Sequence, residues 1–426
     1  MTACGLDFGT SNTTLGVAGP DGARLVPLED GALTLPSALF FHRDGGVAIG
    51  RAAVRAYVEG ADGRLMRSIK SALGNSLIEE TTQVGRERIP FRAVIGRFIG
   101  AVKRRAEEEL GRPFDRVVHG RPVHFVDGDP EGDRRAEAVL AEIGREAGFA
   151  EIVFQYEPIA AALDYETQID REELALIADI GGGTSDFSIV RIGPARIGRA
   201  DRSDDILAND GVRIGGTDFD RQLNLAAAMP LFGYGSAMKR AGLPVPSAYF
   251  HDLATWSTIN RLYETKRVRE IREVRREAAE PERIDRLIRL VDERGGHRLA
   301  IGVEEAKIAL SDMPDTAIGL DWVEPGLAAR LDRPGLVEGT ATLAERIAAR
   351  VGHCLTLAGL AAERIDAVFL TGGSTKLAHV RAAILAALPK AKAVEGDTFG
   401  SVGLGLTLDA ARRFGPDAAR PSSRRA

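Results

Sequence analysis

The sequence predicts an α/β protein of two similar lobes facing a common cleft. Three observations carry that expectation. They are a glycine-rich hairpin near mid-chain, a second hairpin of the same plan at the N-terminus, and apolar strands alternating with amphipathic helices around each.

The mid-chain hairpin runs from Ala178 to Val190. Its first strand, Leu174–Ile180, is apolar, and Phe187 and Ile189 alternate on the return. Gly181, Gly182 and Gly183 are expected to turn the chain through positive φ, which glycine adopts without steric cost. A tip without side chains lets backbone N–H groups and the hydroxyls of Thr184 and Ser185 face phosphate oxygens. Asp179 and Asp186 flank the turn, where they would hold a hydrated cation. The N-terminal copy, Gly5–Val17, sets Asp7 before Gly9, Thr10, Ser11 and Asn12. Two such hairpins half a chain apart suggest two lobes gripping one nucleotide.

The remaining elements follow in order. Arg24–Leu28 and Thr34–Phe41 lean to strand and would complete a sheet with the first hairpin; Ala52–Glu59 reads as a short helix. Ile95, Phe98, Ile99, Val102, Ala106 and Leu110 recur at helical spacing and predict a helix over 91–110, stopped by Gly111-Arg-Pro113. Val117–Phe125 reads as a buried strand ending in a loop, Arg134–Ala147 as an amphipathic helix and Ile152–Tyr156 as a strand. Glu157-Pro158 opens a helix, since proline suits a first helical turn. Gly211–Asp220 is a glycine turn entering a helix. Thr255–Arg298 is strongly charged, breaks at Pro281 and shows a thin apolar stripe of Ile259, Leu262, Val268, Ile271 and Val274. Because acids and bases alternate there, a solvated helical hairpin is favoured over a nucleic-acid arm. Helices are expected at 302–311, 343–360 and 399–412, and a strand–glycine–helix unit at 367–376.

Composition excludes several classes. A hydrophobic content of 44% and a net charge of −5 give no nucleic-acid or membrane signal. No apolar run reaches the roughly 18 residues of a spanning helix, and the first strand starts without a basic leader, so a cytoplasmic protein is expected. Cys4 and Cys354 have no metal-type spacing and suit buried packing. Walker, Rossmann, nucleophile-elbow and zinc-protease motifs do not occur.

Taken together, the segments resemble, in order and over most of residues 3–412, the ATPase domain of the seventy-kilodalton heat-shock (DnaK-type) chaperones. That family shares a superfamily with actin and the sugar kinases. The resemblance implies a two-lobed actin-like ATPase fold, each lobe a duplicated RNase H-like mixed β-sheet with flanking helices. It implies ATP or ADP with Mg²⁺. Asp7 and Asp179 would bind the metal through water, with Asp186 beside them, while Gly9, Thr10, Ser11, Asn12, Gly181, Gly182, Gly183 and Thr184 approach phosphates. Lys70, in Ile-Lys-Ser-Ala-Leu-Gly74, matches the family lysine that contacts the γ-phosphate and the attacking water; Arg67 is its rival. Glu157 matches the acid that binds metal waters or polarises the nucleophile. Gly215 and Gly216 match the sugar-side glycine turn. Glu304, Lys307 and Ser311 match the adenosine helix, Gly372, Gly373, Ser374 and Lys376 the second adenosine segment, and Asp397 the acid closing the adenine and ribose pocket. Lys376 and Ile308 stand where the family has arginines, so adenine would meet an aliphatic wall.

The expected division is residues 1–172 as lobe I, with the C-terminal helix 398–412 packing back on it. Residues 173–397 form lobe II with the charged insertion 255–298, and 413–426 form a disordered tail. No peptide-binding domain is expected to follow, as in the shorter YegD-type members that the chain resembles, and weak autonomous holding of peptides is expected with it. Pro122, where the family has a relay proline, would pass nucleotide state to the surface. The function expected is a slow ATP-hydrolysing switch acting with an unidentified protein partner or client. A small-molecule kinase and an actin-like filament protein are the alternatives.

Overall fold

The computed structural model describes residues 3–19, 22–74, 76–84, 87–126, 129–199, 201–240, 242–394 and 400–415. The chain begins with β1 (Ala3–Phe8), β2 (Asn12–Gly19), β3 (Gly22–Leu25) and the short β4 (Leu35–Pro36). β5 (Ala38–His42), β6 (Val47–Ile49) and β7 (Gly63–Arg67) make a separate three-stranded sheet covered by α1 (Arg51–Val58), and β8 (Thr81–Val84) pairs with β9 (Glu87–Pro90). α2 (Phe91–Leu110), β10 (Arg116–Arg121), α3 (Pro130–Glu146), β11 (Glu151–Tyr156) and α4 (Glu157–Glu166) complete this half. The main sheet has the order β11-β10-β1-β2-β3. β1 and β2 form the antiparallel hairpin, and β10 and β11 run parallel to β1.

The second half repeats the plan. β12 (Glu173–Ile180), β13 (Ser185–Ile192) and β14 (Ile206–Val212) are antiparallel. β15 (Asp315–Gly319) and β16 (Ala328–Asp332) form a hairpin apart, while β17 (Ala367–Thr371) and β18 (Lys392–Val394) extend the sheet parallel to β12, giving β14-β13-β12-β17-β18. Three antiparallel strands plus two parallel ones in each half is the duplicated architecture expected from the paired hairpins.

The helices of the second half are α5 (Gly216–Leu223), α6 (Ala248–Ala254), α7 (Thr265–Glu277), α8 (Pro281–Asp292), α9 (Gly296–Asp312), α10 (Arg333–Ala358), α11 (Ala378–Ala386) and α12 (Ser401–Phe414). α2 matches its expected bounds, because its stripe of Ile95, Phe98, Ile99, Val102 and Ala106 is buried against Leu6, Phe8 and Val117. α3 starts four residues earlier than its apolar periodicity suggested. The Asp129 side chain accepts from Gly132 N, and Pro130 occupies the first turn. α10 likewise starts ten residues early, on an Asp332 cap with Pro334 behind it.

The charged stretch 255–298 corrects an expectation. The break at Pro281 is present, but the segment is not a hairpin in solvent. Ile259, Leu262, Ile271, Ile284, Leu287 and Leu290 are at most 1% exposed and join the core of the second half around Phe219, Phe232 and Phe250. The arginines pair outward instead, Arg272 with Asp292 at 3.0 Å and Arg286 with Glu324 at 2.8 Å. The α8 apolar positions at 284, 287, 290 and 291 form a face that the earlier stripe does not continue.

α12 returns to the first half and lies on β1, β2, β10 and α4. The approach is too close for side chains: a Cβ on Gly405 would lie 1.8 Å from Ala160 O, and one on Gly5 2.3 Å from Thr407 N. Helix and sheet therefore meet backbone to backbone. Among the described residues, no helix is long and apolar enough to cross a membrane.

Candidate functional site

The two hairpin tips meet. A Cβ on Gly182 would fall 2.4 Å from Ser11 Oγ, so the first tip reaches the second only because Gly182 has no side chain. Gly181, Gly182 and Gly183 do not take positive φ, contrary to expectation. Their role is close approach: Gly183 N would lie 2.5 Å from a Cβ on Gly215. The turn is closed by Gly181 N donating to Thr184 O at 2.9 Å. Ser185 is also corrected. It begins β13 facing inward, is 0% exposed, and donates to Ile214 O at 2.7 Å, leaving no hydroxyl for a phosphate. The Thr184 hydroxyl, by contrast, is exposed at the tip and donates to Asp186 Oδ2 at 2.9 Å. On the first tip, Thr10 and Asn12 are exposed. The loop is braced from β4: Ser37 Oγ donates to Gly9 O at 2.7 Å, and Ser37 N donates to Ser11 O at 2.9 Å.

The acids gather beneath the tips. Asp7 and Asp179 are the next-to-last residues of β1 and β12, each half-buried at the cleft floor. Protein surrounds both carboxyls closely enough that desolvation dominates. With the charge of Glu157 added, Asp7 is pushed up to about 8. With the charge of Asp186 added, Asp179 is pushed up to about 7. Lys70 is reached from the short turn Ile69–Ala72, is 9% exposed, and donates to Glu157 Oε1 at 2.6 Å. Burial pulls its ammonium down, but the charges of Glu157 and Asp7 outweigh this and raise it overall. Glu157 is held at the first turn of α4, where the helix dipole favours an anion. Two acids raised well above their ordinary range mark a site short of positive charge. Hard oxygen donors of this kind suit Mg²⁺. Among the described residues no three acidic, imidazole or thiol side chains converge on one point.

The glycine turn at 215–217, α9 and the segment after β17 gather around the second tip. Gly216 N donates to Gly181 O at 2.9 Å, and Thr217 N to Gly182 O at 2.8 Å. Lys307 donates to Gly216 O at 3.2 Å and pairs with Asp220 at 2.8 Å. Ser374 Oγ donates to Gly181 O at 3.4 Å. Gly372 has φ +81, and a Cβ there would lie 2.6 Å from Asp179 Oδ1. Gly373 and Lys376 sit in the turn that follows, with Lys376 exposed. On α9, Glu304 and Ser311 are half-buried and Ile308 is 58% exposed. Asp397 lies outside the described residues.

Sequence reasoning missed a second meeting of the lobes. Tyr57 of α1 shares hydrogen bonds with Asn260 at 3.2 Å and His297 Nε2 at 3.1 Å. Its ring also contacts Trp256. Arg67, the rival to Lys70, ends β7 with its guanidinium 4.7 Å over the Trp256 ring. Partners about 200 residues apart leave no local signal.

Two repeated sheets, tip-to-tip hairpins and a carboxylate floor under a buried lysine define a two-lobed, actin-like ATPase fold. Within that class the chain belongs to the Hsp70 family, whose model, described as Hsp70 protein, matches residues 3–97, 92–228 and 271–411. The chaperone protein DnaK of Halobacterium salinarum is 28% identical over 89% of this chain and 51% of its own length. DnaK of Thermosipho melanesiensis is 26% identical over 98% of this chain and 60% of its own length. The chain thus spans about half to three-fifths of the length of these curated relatives. Trp256 and Asn260 fall in 229–270, which the family model leaves unmatched.

Proposed function

We propose that this chain binds ATP and ADP with Mg²⁺ in the cleft, hydrolyses ATP slowly, and turns the difference between the two nucleotides into a change of lobe arrangement, as the ATPase part of a DnaK-type chaperone. The supporting observation is the Lys70–Glu157 pair set among Asp7 and Asp179 where the two hairpins meet. Residues 1–172 with the helix over 398–412 would act as one lobe and 173–397 as the other. A protein partner or client and a cytoplasmic setting go with this reading.

The tips offer Gly9, Thr10, Ser11 and Asn12 on one side and Gly181, Gly182, Gly183 and Thr184 on the other to the phosphates. Asp7 and Asp179, with Asp186 behind Thr184, would hold Mg²⁺ through water; the ion would neutralise phosphate charge. Glu157 orients Lys70, and Lys70 offers a positive point charge to the group being transferred. Gly215, Gly216, Glu304, Lys307, Ser311, Gly372, Gly373, Ser374, Lys376 and Asp397 would surround the nucleoside, with Ile308 as an aliphatic wall. Calorimetry with ATP and Mg²⁺ tests the reading, and no detectable binding would reject it.

Lys70→Ala is expected to keep ATP affinity within about threefold and to slow hydrolysis by about 10²–10³, because a charge aimed at the transferring group acts on the transition state. Wild-type turnover in this variant would remove Lys70 from the reaction.

The lobes also face each other across a groove of about 390 Å³ between Arg121, Val123 and His124 on one side and Ile206, Ala208 and Asn209 on the other. Pro122 stands at its edge, and Arg121 and His124 tie the loop to α3 through Glu137 and Asp133. A lobe rearrangement must alter this groove. ATP and ADP are therefore expected to give different hydrogen-exchange protection at 117–135 and 255–298, with Pro122→Ala reducing the difference. Identical maps would make the protein a static nucleotide binder.

A further inference from the structure

His119 lies in the middle of the protein with half of its hydrogen-bonding capacity unused. It is 2% exposed on β10, between Leu6 of β1 and Phe154 of β11. Its Nδ1 lies 2.7 Å from Gly120 O, a contact that only an Nδ1–H can make favourably. The other ring nitrogen, Nε2, is then a lone-pair acceptor. It is buried and has no partner among the described residues. A buried acceptor left unmade is costly, and such atoms are rare in folded proteins. Burial also pushes the imidazole down to about 4, so the ring stays neutral near pH 7.

The strand sets this acceptor on the face of the sheet whose core includes the turn that carries Lys70. Val117 and His119 alternate with Val118 and Gly120. Val117 belongs to the core that also holds Ile69, Ala72 and Leu73, the residues around Lys70. Val118 belongs to the opposite face, with Leu406 and Ala410. Gly120 faces that second side too, where a Cβ would lie 3.6 Å from Glu157 Oε1. The turn that carries Lys70 packs on α2, which lies on the His119 face, and the Lys70 ammonium meets Glu157, whose side chain lies on the other. Its charge is felt at the His119 ring. An ammonium has three N–H donors, and Glu157 takes one.

We propose that His119 Nε2 accepts, through one buried water, from a second N–H of Lys70, so that His119 and Glu157 fix the ammonium from opposite faces of the sheet and leave the third donor for the transferring phosphoryl group. His119 is a positioning residue: it touches no nucleotide and acts through Lys70. The proposal rests on the role given to Lys70 above.

The test uses the full chain and three variants, His119→Leu, His119→Gln and Lys70→Ala. Leucine fills the volume without an acceptor, and glutamine returns an amide oxygen near the Nε2 position. His119→Leu is expected to lower single-turnover hydrolysis about tenfold, with nucleotide affinity unchanged, and His119→Gln to restore most of it. In a Lys70→Ala background His119→Leu should cost nothing further, whereas a purely structural role would give an equal loss in both backgrounds. Loss additive with Lys70→Ala, or His119→Gln as slow as His119→Leu, would overturn the proposal. A readout independent of hydrolysis is the Lys70 ammonium signal in protein labelled with 15N-lysine, assigned by its disappearance in Lys70→Ala. That signal should shift and broaden in His119→Leu and be retained in His119→Gln. An unmoved signal in His119→Leu would overturn the proposal even if the protein hydrolysed no ATP, and absent wild-type hydrolysis with a moved signal would count against the ATPase reading alone.

Discussion

Asp7→Asn is expected to weaken ATP binding in the presence of Mg²⁺ about 100-fold while making the nucleotide-free protein more stable. The two effects share one cause. Burial and the neighbouring Glu157 charge push the Asp7 carboxyl up to about 8, so its ionised form is held at a cost that a bound cation would relieve. The unfolded chain releases that proton near pH 4, whereas the folded protein keeps it until about 8. Across this window the folded state holds one more proton than the unfolded state, so wild-type stability falls as pH rises and levels off above it. Asparagine has no proton to lose. The variant should therefore gain on the wild type from about pH 4 upward, reaching on the order of 1–3 kcal/mol near pH 8, with no difference below the window. Asp179, pushed up to about 7, adds a fall of the same sign in both proteins. Thermal unfolding against pH, with chelator present, measures it. A variant less stable than wild type at pH 8 would mean that Asp7 forms a favourable contact in the empty cleft.

The fold was legible where a short stretch of sequence fixes its own geometry. Asp7 with Gly9, and Asp179 with Gly181–Gly183, announced two hairpins, and two hairpins implied two repeated sheets. The glycines were read for the wrong reason. They serve close approach, at Gly182 against Ser11 and Gly215 against Gly183, and close approach depends on a partner far along the chain. The same limit hid the burial of α7 and α8. Arginines dominate their composition, yet Ile271, Ile284, Leu287 and Leu290 turn to a core formed by Phe232 and Phe250. Long charged side chains can edge an apolar face without being solvated all round. Lys70 was singled out through its short segment, but its pairing with Glu157, at 2.6 Å and 87 residues away, belongs to tertiary structure. His119 gave no signal because a single histidine in an apolar strand has the pattern of a core residue.

Trp256→Ala is expected to speed nucleotide release about 10–100-fold without changing the chemistry at Lys70. Tyr57 and Arg67 approach Trp256 from one lobe, at ring-centroid distances of 6.3 and 4.7 Å, and no part of the hairpin floor is involved. A tilted aromatic pair contributes roughly 0.5–1.5 kcal/mol and a guanidinium over indole roughly 0.5–2 kcal/mol. Losing both removes about 1–3 kcal/mol from the closed arrangement, and each 1.4 kcal/mol is about tenfold in an equilibrium. The remaining contacts, Tyr57 to Asn260 and to His297, persist in the variant and limit the effect. Tyr57→Phe removes those hydrogen bonds but keeps the ring, so it should give a smaller acceleration. His297 is pushed down to about 4 by burial and stays neutral near pH 7, so the clasp should be indifferent to pH there. It should also respond little to salt, since no ion pair joins Tyr57 to its partners. Stopped-flow release of a fluorescent nucleotide measures both variants. An unchanged rate in Trp256→Ala would show that the lobes open elsewhere, and that the contact between Arg67 and Trp256 anchors the 229–270 segment without gating the cleft.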